Sequence, residues 1–214
     1  MLIIQKGLIA RRRWLGACAL LLALLLPVAA FCEVQPVAYR RDDTPRNGLV
    51  RVCLASLGTP RTLNIRLTAA YRVSDTEIAL PAGADVTVSV HASSGQLTLS
   101  CAGQNWKLKD SVTLLRSSKQ ASLRIEQAKN AGEYPADLIV SVVKDGDRYA
   151  LETVAYIQLE DYLYGVLSYA IAKSAPAEAL KAQAILARTF VVRFVSEKES
   201  RYAGADISTD IAEA

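Results

Sequence analysis

Residues 156–195 read YIQLEDYLYGVLSYAIAKSAPAEALKAQAILARTFVVRFV, and the second half of this stretch has the period of a long helix. Leu180, Ala184, Ala187, Val191 and Phe194 recur at steps of three and four and therefore share one face, while Glu178, Lys181, Gln183 and Arg188 flank it. One side is expected to be buried. Ser174 is the candidate N-cap, and Pro176 fits a first turn, where its missing N–H is not needed. The first half of the stretch carries Leu159, Leu163 and Val166 at helical spacing, with Gly165 loosening the end. Two helices, over 159–167 and from 176 onward, are expected, joined through 168–175.

Before this stretch the period changes to two. Val50, Val52 and Leu54 alternate with Arg51 and Cys53; Leu63, Ile65 and Leu67 alternate with Asn64 and Arg66; Val86, Val88 and Val90 alternate with Thr87 and Ser89. Alternation of this kind predicts strands with one face buried. Residues 85–90 and 96–101 flank Ser93, Ser94 and Gly95, and residues 138–143 and 148–154 flank Lys144, Asp145, Gly146 and Asp147. Both read as hairpins, the second more firmly because Asp-Gly accommodates positive φ. His91 continues its strand on the Thr87 and Ser89 side and is expected to face solvent. The fold class is therefore α+β: β-rich with antiparallel hairpins to about Tyr156, helical afterwards.

Residues 1–30 read as a targeting segment, a signal peptide or an N-terminal anchor. Lys6, Arg11, Arg12 and Arg13 form a basic head, an apolar Leu-rich run follows to Pro27, and Val28, Ala29 and Ala30 offer small residues for cleavage. The apolar run approaches the roughly 18–20 residues of a spanning helix, so an uncleaved anchor stays open. Either way the remainder is expected outside the cytosol, with membrane contact only through this segment. Residues 31–48, with Pro36, Pro45, Asn47 and Gly48, read as a polar linker, and 49–214 as the domain.

The chain carries 25 basic and 21 acidic residues. Four of the basic residues lie in the leader, which leaves 21 against 21, so nothing gives the domain an electrostatic footprint for nucleic acid. There is a single histidine and no Cys-x-x-Cys, which points away from a metal site, and no feature calls for a cofactor. Cys53 and Cys101 are the preferred pair if one disulfide forms; the alternative is that both are small buried residues.

The blocks EDYLYGV at 160–166, EALKAQA at 178–184 and ARTF at 187–190 resemble the stage II sporulation protein D / amidase-enhancer LytB family (SpoIID/LytB). The resemblance extends more weakly to the strands from Leu49. It implies an exported protein acting at peptidoglycan. Sporulation members are lytic transglycosylases that cut glycan strands stripped of stem peptides, and the amidase-enhancer branch assists a separate cell-wall amidase. It also implies further strands and substrate-contacting residues after 205–211, so the domain over 49–214 is expected to be incomplete at its C-terminal side. The family's catalytic glutamate lies five residues after the glycine of the first block, and that position here is Ala170.

Glycan cleavage needs a group to protonate the departing oxygen, and a carboxyl in a partly apolar cleft suits the task. Alanine cannot supply the proton. A substitute would have to come from Glu160, Asp161, Glu178, Asp206 or Asp210, although Glu160, Asp161 and Glu178 are also explained as first-turn acids facing a helix dipole. No catalytic residue is therefore assigned. Candidate substrate-binding residues are Glu160, Asp161, Tyr162, Tyr169, Lys181, Gln183 and Arg188, the tyrosines by stacking on sugar rings or, alternatively, by packing between helices and sheet. The expected partners are peptidoglycan glycan strands and a cell-wall amidase. Three functions stay open: a non-catalytic glycan-binding or amidase-enhancing module, an active transglycosylase with a displaced carboxylate, and an envelope scaffold.

Overall fold

The computed structural model of the chain describes residues 48–128, 132–196 and 204–209. The leader over 1–30 and all of the linker but Gly48 lie outside the described residues, as does Asp210.

Among the described residues, eleven strands precede two α-helices: β1 (Leu49–Cys53), β2 (Thr62–Leu67), β3 (Tyr71–Val73), β4 (Ala79–Leu80), β5 (Asp85–Val90), β6 (Leu97–Cys101), β7 (Gln104–Leu108), β8 (Ser111–Arg116), β9 (Leu123–Ile125), β10 (Ala136–Asp145) and β11 (Arg148–Gln158). Then come α1 (Leu159–Ala170), α2 (Ala177–Ser196) and the short β12 (Ile207–Ser208). One sheet has seven strands in the order β12-β1-β11-β10-β8-β3-β4, the other five in the order β7-β6-β5-β2-β9. The α+β class read from the sequence is the observed one.

Alternation of side chains explains how the two sheets share a core. Val86, Val88 and Val90 of β5, Leu97 and Leu99 of β6, and Leu63, Ile65 and Leu67 of β2 all turn to one face of the five-stranded sheet. They join a single apolar cluster with Val112 and Leu114 of β8, Leu138 and Val140 of β10, and Leu151, Ala155 and Ile157 of β11. Each large side chain so enclosed contributes roughly 1.5–3 kcal/mol relative to exposure. Both expected hairpins form, the second with a shorter loop than the expected 144–147 because Lys144 and Asp145 stay paired in β10. Val90 pairs with Leu97, and Asp145 pairs with Arg148, leaving Gly146 (φ 62°) as the first of two loop residues, where only glycine takes positive φ without strain.

Several expectations need correction. No disulfide joins Cys53 to Cys101: Cys53 lies in β1 of the larger sheet and Cys101 in β6 of the smaller, and both are buried. β1 is not half-buried, because Arg51 and Cys53 on its outer face are as enclosed as Val50 and Val52. A second small cluster of Cys53, Val154, Tyr156 and Ala205 covers that side. Finally, Ser174 does not begin the long helix. The amides of Ala179 and Leu180 both donate to the Pro176 carbonyl, which puts the proline at the cap itself.

The strand-to-helix transition is immediate. β11 ends at Gln158 and α1 begins at Leu159, whose amide donates to the Gly48 carbonyl at 2.7 Å. Glu160 and Asp161 occupy the first turn, where negative charge faces the positive end of the helix dipole. Gly165 does not end the helix, which continues to Ala170; Ile171 is extended and caps it by donating to the Leu167 carbonyl. α1 is fixed by buried Leu163 and by Leu159 and Tyr162 against the core. α2 turns Ala187 and Val191 inward, with Leu180, Ala184 and Phe194 half-buried beside them. The predicted inner face is the observed one.

Candidate functional site

Two of the residues singled out by sequence, Glu160 and Arg188, meet where α1 and α2 pack on each other. Arg188 of α2 donates through Nη2 to both carboxylate oxygens of Glu160 on α1, at 2.7 and 2.6 Å. The side chains span 28 positions of sequence, so the pair forms only once the two helices are side by side. Both are well solvated, with side chains 45% and 66% exposed, so the contact aligns the helices more than it stabilises them.

The other candidates divide between surface and core. Lys181 Nζ donates to Glu178 Oε1 at 2.9 Å, an i,i+3 pair within the first turns of α2. Tyr162 packs against the apolar cluster, and its burial pushes the phenol pKa up. Packing, not an open ring face, is its situation. Tyr169 is the reverse case, 76% exposed, as is its neighbour Tyr164 at 77%. Asp161 and Gln183 are half-buried on α1 and α2.

Ala170 is the last residue of α1 and is exposed. Glu160 and Asp161 sit at the opposite end of that helix, about 15 Å away for a rise of 1.5 Å per residue. Glu178 is engaged by Lys181. Asp206, a further candidate acid, is placed elsewhere altogether: it is 5% exposed and bound by Arg51. Arg51 Nη2 donates to Asp206 Oδ1 at 2.6 Å, and the Arg51 amide donates to Oδ2 at 2.9 Å. Burial alone would lower the Arg51 pKa, but hydrogen bonding and attraction to Asp206, helped by Tyr156, outweigh it, and the net shift is upward. The guanidinium stays charged, and the carboxylate faces it instead of a cleft. His91 is exposed beside the hydroxyls of Ser93 and Ser94.

Two features escaped the sequence. The Arg51–Asp206 pair had one trace, a charged residue between Val50 and Val52 in an otherwise apolar strand. The outer side of α2 is also apolar, with Ile185, Leu186, Phe190 and Val192 exposed; apolar residues all round 179–195 were its visible signal. Among the described residues no helix is long and apolar enough to cross a membrane, and no cluster of three or more His, Cys, Asp or Glu could hold a metal ion.

A family model described as SpoIID, Stage II sporulation protein, matches residues 147–213. The match takes in β11, both helices and β12, and it contains all three sequence blocks quoted above. Strands β1–β10 lie before it. No curated protein and no solved structure matches the chain.

Proposed function

We propose that this chain, whose residues 147–213 match the SpoIID family of stage II sporulation proteins, is an exported, peptidoglycan-associated protein that binds glycan or assists a cell-wall amidase without cutting the polymer. The family match supports a function connected with sporulation and the cell wall. Its finer content rests on the α1–α2 surface.

One observation carries the non-catalytic reading: the candidate acids among the described residues are engaged elsewhere or, like Asp161, lie at the opposite end of α1 from Ala170. Ala170 ends α1, Glu160 is bound to Arg188, Glu178 to Lys181, and Asp206 is enclosed with Arg51. General acid–base assistance is worth about 10² to 10⁴ in rate, so a surface without a placed acid retains affinity but little turnover. Arg188, Lys181, Gln183 and the exposed ring of Tyr169 supply donors and a stacking face of the kind that hydroxyl-rich glycan strands take.

Incubation of the protein with denuded glycan strands, followed by assay for anhydro-sugar ends, tests the reading together with co-sedimentation on cell-wall sacculi. We expect co-sedimentation without new ends, and gain of cleavage in Ala170→Glu if the surrounding groove is intact. Cleavage by the unaltered chain at the rate of catalytic family members would overturn the proposal.

A further inference from the structure

Gly165 stands in the middle of α1, which runs on past it to Ala170. Glycine inside a helix is destabilising relative to alanine, because it has more backbone freedom to lose. The usual internal reasons for a glycine do not apply at this position. Its φ is not among the positive ones, and among the described residues an added Cβ would meet nothing within 4 Å. The room it leaves therefore opens outward, to something that approaches the helix backbone closely.

The rim of that opening has the chemistry of a sugar site. Tyr164 is 77% exposed and Tyr169 76%. They are five positions apart, about 7.5 Å along the helix axis, and border Gly165 on two sides. Helical side chains lean toward the N-terminus, so Tyr169, one turn further on, is directed toward the glycine and not away from it. Ser168, exposed between the two rings, donates to the Gly165 carbonyl at 2.8 Å, and its oxygen keeps acceptor capacity. Asp161, one turn before Gly165 on the same face, adds a carboxylate acceptor.

We propose that this bay seats one pyranose ring of a glycan strand over Gly165, with Tyr164 and Tyr169 against its C–H groups and Ser168 and Asp161 accepting from its hydroxyls. A sugar is the occupant because it presents both kinds of surface at once. A purely apolar partner would bury Ser168 and Asp161 without donors, and an acidic one would be repelled by Asp161. Tyrosine is the aromatic residue for such a place, with an apolar ring and a hydroxyl that stays wet. The inference rests on the proposed glycan-binding function and goes beyond it in giving Tyr164 and Gly165 a role.

The test measures binding of the full chain, in nonionic detergent, to cell-wall sacculi by co-sedimentation and to glycan strands stripped of stem peptides by titration calorimetry. We expect Tyr164→Ala and Tyr169→Ala each to weaken both at least about tenfold, as loss of an aromatic anchor does, while Tyr164→Phe and Tyr169→Phe keep most of the affinity. Gly165→Ala should raise the thermal midpoint, because alanine favours the helix, and yet weaken binding severalfold, because its Cβ fills the bay. A merely structural glycine would not give these opposite signs. Leu186→Ser, at a 63% exposed apolar residue of α2, should leave binding unchanged, and circular dichroism establishes that every variant is folded. If the parent binds and the tyrosine and Gly165→Ala variants bind as well as it does, or if Leu186→Ser loses as much as they do, this inference is overturned while the functional reading stands. Binding to sacculi but not to stripped strands overturns it too, since the bay then takes peptide. A parent chain that binds neither overturns the functional reading and this inference with it.

Discussion

Arg51 and Asp206 lie 155 positions apart and meet at 2.6 Å with their side chains 5% and 3% exposed. The first strand is thereby bolted to the last described segment. The contact is doubled by the main chain: the Asp206 amide donates to the Arg51 carbonyl, and the Thr209 amide to that of Cys53. β12 has only two residues paired in parallel with β1, too few to hold by ladder hydrogen bonds alone. The ion pair fixes that segment, and with it the far end of the matched region.

Removing one partner leaves a buried charge with nothing to balance it. Asp206→Ala is expected to destabilise the fold by about 3–5 kcal/mol, whereas replacing both residues, Arg51→Met with Asp206→Leu, should cost much less. Chemical denaturation of the three proteins checks this. Equal losses for the single and double variants would show that the pair's charge is not the cause.

Glu152 gives the fold a pH dependence of definite sign. It is half-buried on β11 opposite Ser141, and burial raises its pKa above the ordinary 4.5. The folded state therefore holds this proton more tightly than the unfolded chain. The resulting stability is fully present below the unfolded value and is lost as pH rises through the raised folded value. Glu152→Gln should be more stable than the parent at neutral pH and should flatten the stability profile just above pH 4.5. Denaturation midpoints measured across that window would sink this if the two profiles ran parallel.

Arg188 separates binding from stability. Its bond to Glu160 is solvated, so Arg188→Ala should change stability by no more than about 1 kcal/mol. On the proposed function, the same change weakens sacculus co-sedimentation severalfold. Unaltered sedimentation would remove Arg188 from the binding surface.

Two turn glycines should respond differently to the same substitution. Gly95 has φ 69° and Gly83 φ 73°, so alanine at either costs about 1–2 kcal/mol of backbone strain. At Gly95 an added Cβ would also stand 3.2 Å from three atoms of the Tyr149 ring, while at Gly83 it would meet nothing within 4 Å. Gly95→Ala should therefore be the more damaging in thermal melts. The opposite order would mean that the Tyr149 ring moves aside freely.

The sequence by itself determined whatever follows from a short repeat of side chains. Period two placed Val86, Val88 and Val90 on one face of a strand, period 3.6 placed Ala187 and Val191 on the inner side of α2, and Asp145-Gly146 marked a turn within 144–147. Those outcomes depend on neighbours a few residues away, and so does the i,i+3 contact between Glu178 and Lys181. What only the tertiary structure decided joins residues far apart. Asp206 looked available as an acid until the fold enclosed it with Arg51; Cys53 and Cys101 looked bridgeable until they fell in separate sheets; Glu160 and Arg188 became partners only when α1 and α2 lay side by side. The short strands β3, β4, β9 and β12 likewise carry too few residues to show a period, and they exist because a longer neighbour supplies their hydrogen bonds. Local periodicity is written in adjacent residues, whereas burial and ion pairing are set by which distant segments the packed core brings together.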